Sequence, residues 1–235
     1  MTELNHYLEQ YFLNEVQLTR AGAMHSDELD ALIHHRLVPA PSYVVTKAGK
    51  VWSFVFGEMA APGATPGRYF PSSHLIWIDR ARHAIACGAP ENTKARLKSR
   101  FTTNFATALA TLNLSTWRLP DSFDDHGAPI DGGLLVRTDA AWGHFLNGTF
   151  GLCVANAMSE AHMAYKEVLQ EKLTQISDNG RQTAFSPQLA QATHDLIDAY
   201  AAAAMPFSPI EYASSSRKRL VEDLRANIHR AAGAG

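Results

Sequence analysis

The spacing of apolar residues along the chain predicts a mainly helical protein. Apolar side chains recur every three or four residues, as on one face of a helix, over most of the sequence. Ser, Asp or Asn precedes several of these runs, where its side chain can cap a helix, and Gly or Pro often follows. The pattern predicts helices over 3–12, 15–21, 27–36, 72–86, 91–112, 139–145, 159–176 and 186–205, and a last helix that carries Leu220, Leu224 and Ile228.

Two segments near the N-terminus depart from this pattern and predict a β-hairpin. Ser42–Thr46 and Val51–Phe56 are rich in Val, Phe and Trp, and a Lys-Ala-Gly-Lys turn separates them. Residues 57–70 hold three glycines and two prolines, so we expect a loop and a domain boundary there. A second loop is predicted over Leu119–Gly133, followed by a short strand or turn over Leu134–Val136.

These elements together predict the fold class. We expect a mainly α protein in which an N-terminal winged-helix-like module with a small β-hairpin, residues 1–56, packs on a helical body, residues 71–235. The loop at 57–70 joins the two parts. Hydrophobic residues make up 46% of the chain and charged residues 19%, which is the composition of a chain that folds around a packed core.

The cysteine count and the absence of long apolar runs predict a cytoplasmic protein. Cys87 and Cys153 are too few for a disulfide framework and fit a reducing compartment. The first twelve residues have neither a basic region nor an apolar stretch, so we expect no signal peptide. No apolar run approaches the ~20 residues of a spanning helix, so we expect no membrane partner.

The first 56 residues resemble the helix-turn-helix of MerR-type regulators. That pattern has a short helix, a Gly-containing turn, a second helix, an apolar-Pro step and a two-stranded wing. The matching positions are Leu13, Val16, Ala21, Gly22, Leu29, Leu37, Val38, Pro39 and Tyr43. The resemblance implies DNA binding, but residues 1–40 hold six acids and only two arginines, and Asp27, Glu28 and Asp30 open the candidate recognition helix. Phosphates would repel these carboxylates, so we expect a packing or partner-binding element and no nucleic-acid partner.

Two later segments carry a second resemblance. They are WGHFLNGTFGLC, residues 142–153, and SEAHMAYKE, residues 159–167. With the helix-turn-helix and the PSYVV hairpin, they resemble a bacterial family of unknown function whose members are labelled natural product biosynthesis proteins. The resemblance implies a setting in specialised metabolism, and it brings no functional residues with it.

The same segments hold the candidate catalytic residues. Cys153 follows an Asn-Gly turn and could be a nucleophile or metal ligand with His144 as its base, or else a small buried hydrophobe. Lys166 and Glu167 could serve acid–base roles, while Glu160 lies two helical turns before Glu167. The alternative for these three residues is an ordinary solvated helix face.

One loop is crowded with possible oxygen and nitrogen ligands. The residues are Asp121, Asp124, Asp125 and His126, and they could bind a divalent metal such as Mg, Mn or Fe. Their spacing matches no calcium-loop or zinc signature, and Asp, Gly and Pro are also what turns use. The cofactor is otherwise unknown from the sequence.

A basic helix stands out in a chain of net charge -2. It carries Lys94, Arg96, Lys98 and Arg100, which could bind a phosphate-bearing substrate or an acidic carrier protein. The alternatives are a solvated helix, or pairing with the acidic N-terminal module. Farther along, Ala199–Ala204 suits close helix packing, within the chain or in a homo-oligomer.

Three functions stay open at this point. The first is an enzyme, or an enzyme accessory, that acts on a small-molecule substrate near Cys153, His144 and the 121–131 loop. The second is a non-catalytic protein that binds an acidic carrier domain or another partner through the basic helix. The third is a MerR-like regulator of transcription.

Overall fold

The structure confirms that the chain is mostly helical. The computed structural model describes residues 2–233, and ten α-helices run through them. They are α1 (Glu3–Tyr11), α2 (Glu15–Ala21), α3 (Ser26–His34), α4 (His74–Ala86), α5 (Thr93–Ser115), α6 (Asp131–Leu146), α7 (Thr149–Cys153), α8 (Glu160–Ile176), α9 (Pro187–Ala203) and α10 (Leu224–Gly233). Single 3-10 turns lie at Pro90–Asn92 and Tyr212–Ser214, and a π-helical segment, Lys218–Asp223, runs directly into α10.

Predicted capping residues fix the start of several helices. The Asn14 side chain accepts a hydrogen bond from the Gln17 amide, and the Gln17 side chain accepts one from the Asn14 amide, which makes a capping box before α2. The serine caps predicted for α8 and α9 are also confirmed. The cap predicted at Ser26 is wrong, because α3 begins at Ser26 itself, and the Ser26 hydroxyl donates to the Glu15 carboxylate.

The segment predicted as a loop over 57–70 contains two strands. The predicted hairpin is present, and it belongs to a five-stranded antiparallel sheet in the order β1-β5-β2-β3-β4. The strands are β1 (Leu13–Asn14), β2 (Tyr43–Val45), β3 (Lys50–Ser53), β4 (Gly57–Ala60) and β5 (Gly67–Phe70). Gly63 has a positive φ in the turn between β4 and β5. The glycines and prolines of this segment therefore form a tight turn, and the residues on either side of it can still pair as strands.

The residues before Cys153 give a second correction. Leu134–Val136, predicted as a strand or turn, and Asp139, predicted as a helix cap, both lie inside α6. Gly132 and Gly133, in the first turn of α6, made the sequence resemble a loop instead of a helix. Gly133 is there for a steric reason, because a Cβ at this position would stand 1.6 Å from the carbonyl oxygen of Asp121.

The N-terminal helices do not confirm a winged helix. The predicted hairpin is not a free wing, because β2 also pairs with β5 in the larger sheet. The acids of α2 and α3 face arginines of the same chain. Arg68 contacts Glu15 at 2.7 Å and Asp30 at 2.6 Å, and Arg82 contacts Glu28 at 2.8 Å. Hydrogen bonds from these arginines lower the pKa of Glu15 and Glu28, so the acidic face is stabilised within the fold.

The N-terminal sheet and the helical body share their hydrophobic cores. One core joins α1 and the sheet to α7 and the segment after α9, through Leu8, Tyr43, Leu152 and Phe207. A second core joins α2 and α3 to α4, and two others lie among the remaining helices. Within the alanine-rich end of α9, Ala204 is buried inside the chain. Across residues 2–233, none of the helices has the length and apolar character that a membrane crossing needs.

Candidate small-molecule site around Cys153

A cavity of about 300 Å³ lies where the β3–β4 turn, α6, α7, α8 and the C-terminal segment meet. All three residues predicted as catalytic, Cys153, His144 and Glu167, line it. We call it the Cys153 cavity. Its lining consists of Val55, Phe56, His144, Thr149, Phe150, Cys153, Lys166, Glu167, Gln170, Phe207, Ser214, Ser216 and Arg219. A concave site with an apolar wall and a few convergent polar groups is the usual form of a small-molecule site.

Two glycines let α7 carry Cys153 into the cavity wall. Gly148, between α6 and α7, has a φ of +82°, and a Cβ there would stand 2.8 Å from the carbonyl oxygen of Ala40. One turn later, a Cβ on Gly151 would stand 2.6 Å from the Ser42 hydroxyl oxygen. Helix α7 therefore packs directly against the chain that enters β2, and the Cys153 side chain is buried by this approach.

His144 lies at the exposed edge of the same cavity. It stands in the last turn of α6, and its ring packs edge-on against Phe150 with 6.2 Å between the ring centroids. The structure thus places His144 where it can reach both a bound molecule and water.

Helix α8 contributes a buried cation to the cavity. The Lys166 ammonium, in a side chain only 3% exposed, donates to Glu167 at 2.9 Å and to the Gln170 side-chain oxygen at 2.5 Å. Burial has the largest single effect and lowers the pKa of Lys166, but the charge and hydrogen bond of Glu167, together with Cys153 and Tyr200, raise it overall. The solvated helix face considered for Glu160 and Lys166 is therefore wrong, since Glu160 is also buried, against Arg80.

The Cys153 thiol is neutral at physiological pH. Burial raises its pKa to about 11, although the nearby Lys166 ammonium acts in the opposite direction. A reactive cysteine needs a lowered pKa, because the thiolate is the nucleophile. The structure therefore favours the sequence alternative in which Cys153 is a buried apolar side chain, here one that also borders a cavity.

This difference in burial predicts a difference in alkylation. We expect iodoacetamide at pH 7.5 to label the exposed Cys87 at least about tenfold faster than Cys153, since the thiolate fraction falls tenfold for each unit that a thiol pKa rises. Peptide mapping by mass spectrometry measures both rates in one sample. In guanidinium chloride the two rates should converge. Equal rates in the folded protein would contradict the burial of Cys153.

A buried carboxylate that the sequence did not indicate connects the sheet to the C-terminal segment. Glu211 is 1% exposed and accepts hydrogen bonds from Tyr43 at 2.6 Å, Ser53 at 3.1 Å and Ser208 at 2.7 Å. Burial raises its pKa, and these hydroxyls act against that rise. Tyr43 and Ser53 lie more than 150 positions earlier in the chain, so no local spacing could have predicted this group.

The wall that Glu211 holds in place includes a strained residue. Phe207 is buried and has a φ of +66°, which is uncommon for a bulky side chain and costs free energy. Its ring packs edge-on against Phe56 with 5.8 Å between centroids, and both rings line the Cys153 cavity. Strained backbone is often found at functional sites, so the strain at Phe207 adds to the evidence that the Cys153 cavity is functional.

The predicted metal ligands do not converge. Asp121 contacts Arg137 at 2.7 Å, Asp125 contacts Arg118 at 3.1 Å, and Asp124 accepts hydrogen bonds from backbone amides of its own turn. Asp124 and His126 are therefore residues of an ordinary turn, which was the alternative to a metal site. Throughout the described part of the chain, no three His, Cys, Asp or Glu side chains are grouped so that they could hold a metal ion.

The basic helix is partly neutralised by its own chain. Lys98 contacts Asp139 at 2.9 Å, and Arg96 donates to the carbonyl oxygen of Ala84. Lys94 and Arg100 are exposed, and neither makes an ion pair with the residues that the structure describes. Two of the four predicted anion-binding residues therefore stay available to a partner.

Comparison with curated proteins and with solved structures finds no match. A family model described as a family of unknown function, DUF6058, matches residues 97–229. The match covers more than half of the chain and runs from α5 into α10. It includes the helices that carry His144, Cys153, Lys166 and Glu167, and it says nothing of natural product biosynthesis or of MerR-type regulators. The chain belongs to this family of unknown function.

Proposed function

We propose that this protein is an enzyme, or an accessory of an enzyme, that acts on a small metabolite bound in the Cys153 cavity. One observation carries the proposal: an acid, a base and a buried ammonium, Glu167, His144 and Lys166, line one cavity of about 300 Å³. A lysine on an ordinary solvated helix stays in water, whereas Lys166 is buried. Desolvated charges of this kind are typical of sites that bind or transform ligands.

The geometry supports acid–base chemistry better than covalent catalysis. Glu167 is held by Lys166 and is partly exposed to the cavity, and His144 stands at its edge, so these two side chains can accept and donate protons. The ammonium of Lys166 can stabilise negative charge that develops on a bound carbonyl or phosphoryl oxygen. Cys153, with its raised pKa, borders the ligand as an uncharged side chain.

The setting that we propose is specialised metabolism. This part of the proposal rests on the resemblance of the 142–153 and 159–167 segments to natural product biosynthesis proteins. The family of unknown function to which the chain belongs is compatible with it and adds no activity.

Turnover of a metabolite in an extract of the source cells tests the proposed enzyme. We expect the wild-type protein to convert one mass into another over time in untargeted liquid chromatography–mass spectrometry. Glu167→Gln and His144→Ala should each slow this conversion by about 100-fold or more, which is the usual contribution of a general acid or base. Cys153→Ala should keep most of the rate. No conversion by the wild type would contradict an enzyme, and a full rate in Glu167→Gln would contradict this site.

A non-catalytic role through the basic helix is a second candidate. Lys94 and Arg100 favour it, because they are exposed, form no ion pair with residues 2–233 and offer positive charge to an acidic carrier protein or another anionic partner. Replacing both residues with Glu should abolish binding to such a partner, measured by size-exclusion chromatography. Unchanged co-elution would end this candidate.

A MerR-like regulator receives the least support. Three acids of α2 and α3 pair with Arg68 and Arg82, and the candidate recognition helix, α3, carries no lysine or arginine that could contact phosphates. A gel shift with the DNA upstream of the coding sequence, at low salt, would revive this candidate if a band shifts.

A further inference from the structure

Three consecutive cations, Arg217, Lys218 and Arg219, lie in the C-terminal segment beside the Cys153 cavity, and they differ in their partners. Arg217 donates to the carbonyl oxygens of Ala201 and Ala204, and Lys218 contacts Glu222 at 3.2 Å. Both are thus engaged by the protein itself. Arg219, the third, is the one that lines the cavity.

The Arg219 guanidinium has no hydrogen-bond acceptor in the described part of the chain. Its Nε atom is buried without a hydrogen-bond partner, and among residues 2–233 no carboxylate pairs with it. The aliphatic part of the Arg219 side chain packs closely against Gly180. A Cβ on Gly180 would stand 2.9 Å from the Arg219 carbonyl oxygen and 3.0 Å from the Arg219 Cγ. The Arg219 side chain donates no hydrogen bond to residues 2–233, so the guanidinium N–H groups that face the cavity can bind an acceptor on a ligand.

The local backbone supports a functional role for Arg219. It lies in the π-helical segment Lys218–Asp223, and such segments are rare and often found at functional sites. The charges that line the cavity also point to an anion. Lys166 and Glu167 offset each other, and Arg219 leaves one positive charge without a counter-charge.

We propose that Arg219 anchors the ligand of the Cys153 cavity, and that this ligand is a small organic anion with an apolar body. The guanidinium would form paired hydrogen bonds with a carboxylate or phosphate, for which its planar geometry is suited. The rings of Phe56, Phe150 and Phe207 line the cavity and would contact the apolar part. The inference rests on the proposed function, and it adds the class of substrate.

Three probes with one carbon skeleton separate the possible head groups. Phenylacetate carries a carboxylate, benzylphosphonate carries a phosphonate, and phenylacetamide is neutral. Isothermal titration calorimetry on the full chain should give at least one anion a dissociation constant about tenfold or more below that of phenylacetamide, the usual gain from a hydrogen bond to a charged group. The tighter anion identifies the head group.

Variants at Arg219 assign that preference to its guanidinium. Arg219→Met should remove the preference, and Arg219→Lys should restore part of it, because an ammonium keeps the charge without the paired geometry. Arg20→Met, at an exposed position on α2, is the matched control and should bind like wild type. Circular dichroism melting of each variant confirms that it is folded.

Three results would overturn the inference. If phenylacetamide binds as tightly as the anions, or if Arg219→Met leaves the preference unchanged, Arg219 is not an anion anchor and the cavity stays a ligand site. If none of the probes binds the wild-type chain, an anion with this apolar body is not its ligand. If the wild type still turns over a metabolite in the extract and Glu167→Gln does not, the proposed function keeps its support in each of these cases.

Discussion

Replacing Glu211 with Ala should lower the free energy of unfolding by about 3 kcal/mol or more at pH 7. The change leaves the hydroxyls of Tyr43, Ser53 and Ser208 without their common acceptor in a buried place, and each unsatisfied group costs about 1–3 kcal/mol. Because Glu211 ties the sheet to the segment that carries Phe207 and the C-terminal cavity wall, ligand binding should weaken as well. Urea unfolding followed by circular dichroism measures the loss of stability.

Two milder variants separate the buried network from general damage. Tyr43→Phe removes one donor and leaves Glu211 with two, so it should cost only about 0.5–1.5 kcal/mol. Glu211→Gln keeps an acceptor and should fall between the other two. If Glu211→Ala unfolds at the same urea concentration as Tyr43→Phe, the three hydrogen bonds do not act through Glu211.

The raised pKa of Glu211 also gives its contribution a pH dependence of known sign. The folded protein holds this proton more tightly than the unfolded chain does, so the contribution of Glu211 to stability falls as the pH rises from the ordinary carboxyl range to its folded pKa. Other carboxylates change in the same range, and the wild type must therefore be compared with Glu211→Gln. As the pH rises, the free energy of unfolding of the wild type should fall relative to that of Glu211→Gln.

Replacing Gly148 with Ala should cost about 2–4 kcal/mol. A residue with a Cβ pays about 1–2 kcal/mol for the left-handed φ of +82°, and the added atom would stand 2.8 Å from the Ala40 carbonyl oxygen and 3.0 Å from that of Pro41. Both neighbours are backbone atoms, so α7 has to move. We expect that shift to expose Cys153 and to speed its alkylation, which the iodoacetamide assay measures.

Gly143 provides the matched control. It lies inside α6, and a Cβ there would meet no atom within 4 Å. Gly143→Ala should therefore raise the free energy of unfolding by about 0.5–1 kcal/mol, as expected for a glycine in a helix interior. If the two substitutions have equal effects, the close approach at Gly148 does not hold α7 in place.

Most helices could be predicted because their signals are local. The capping box at Asn14 and the serine caps of α8 and α9 act within four residues, so the sequence contains all the atoms involved. The errors occur where distant contacts override local preference. β5 forms because β1 and β2 pair with it on both sides. Helix α6 has Gly133 in its first turn because the Asp121 backbone lies against that position.

The candidate site was predictable to the extent that its residues are neighbours in sequence. His144, Cys153 and Glu167 lie within 24 positions on three successive helices, and the structure brings them to one cavity. Glu211 and Arg219 could not be found in this way, because their roles depend on partners or on a cavity wall from elsewhere in the chain. The aspartate loop misled for the opposite reason: its composition resembles a metal site, while Arg118 and Arg137 take up two of its carboxylates.

Native mass spectrometry decides whether the Cys153 cavity is a ligand site. The protein is incubated with metabolite extract from its source cells, desalted and measured beside two tryptophan variants. Ser214→Trp places a large side chain in the cavity lining, and Ser99→Trp places it on an exposed position of α5. We predict one equivalent of a small molecule on the wild type and on Ser99→Trp, and none on Ser214→Trp. A wild-type protein without added mass, or equal added mass on Ser214→Trp, would contradict a small-molecule site in this cavity.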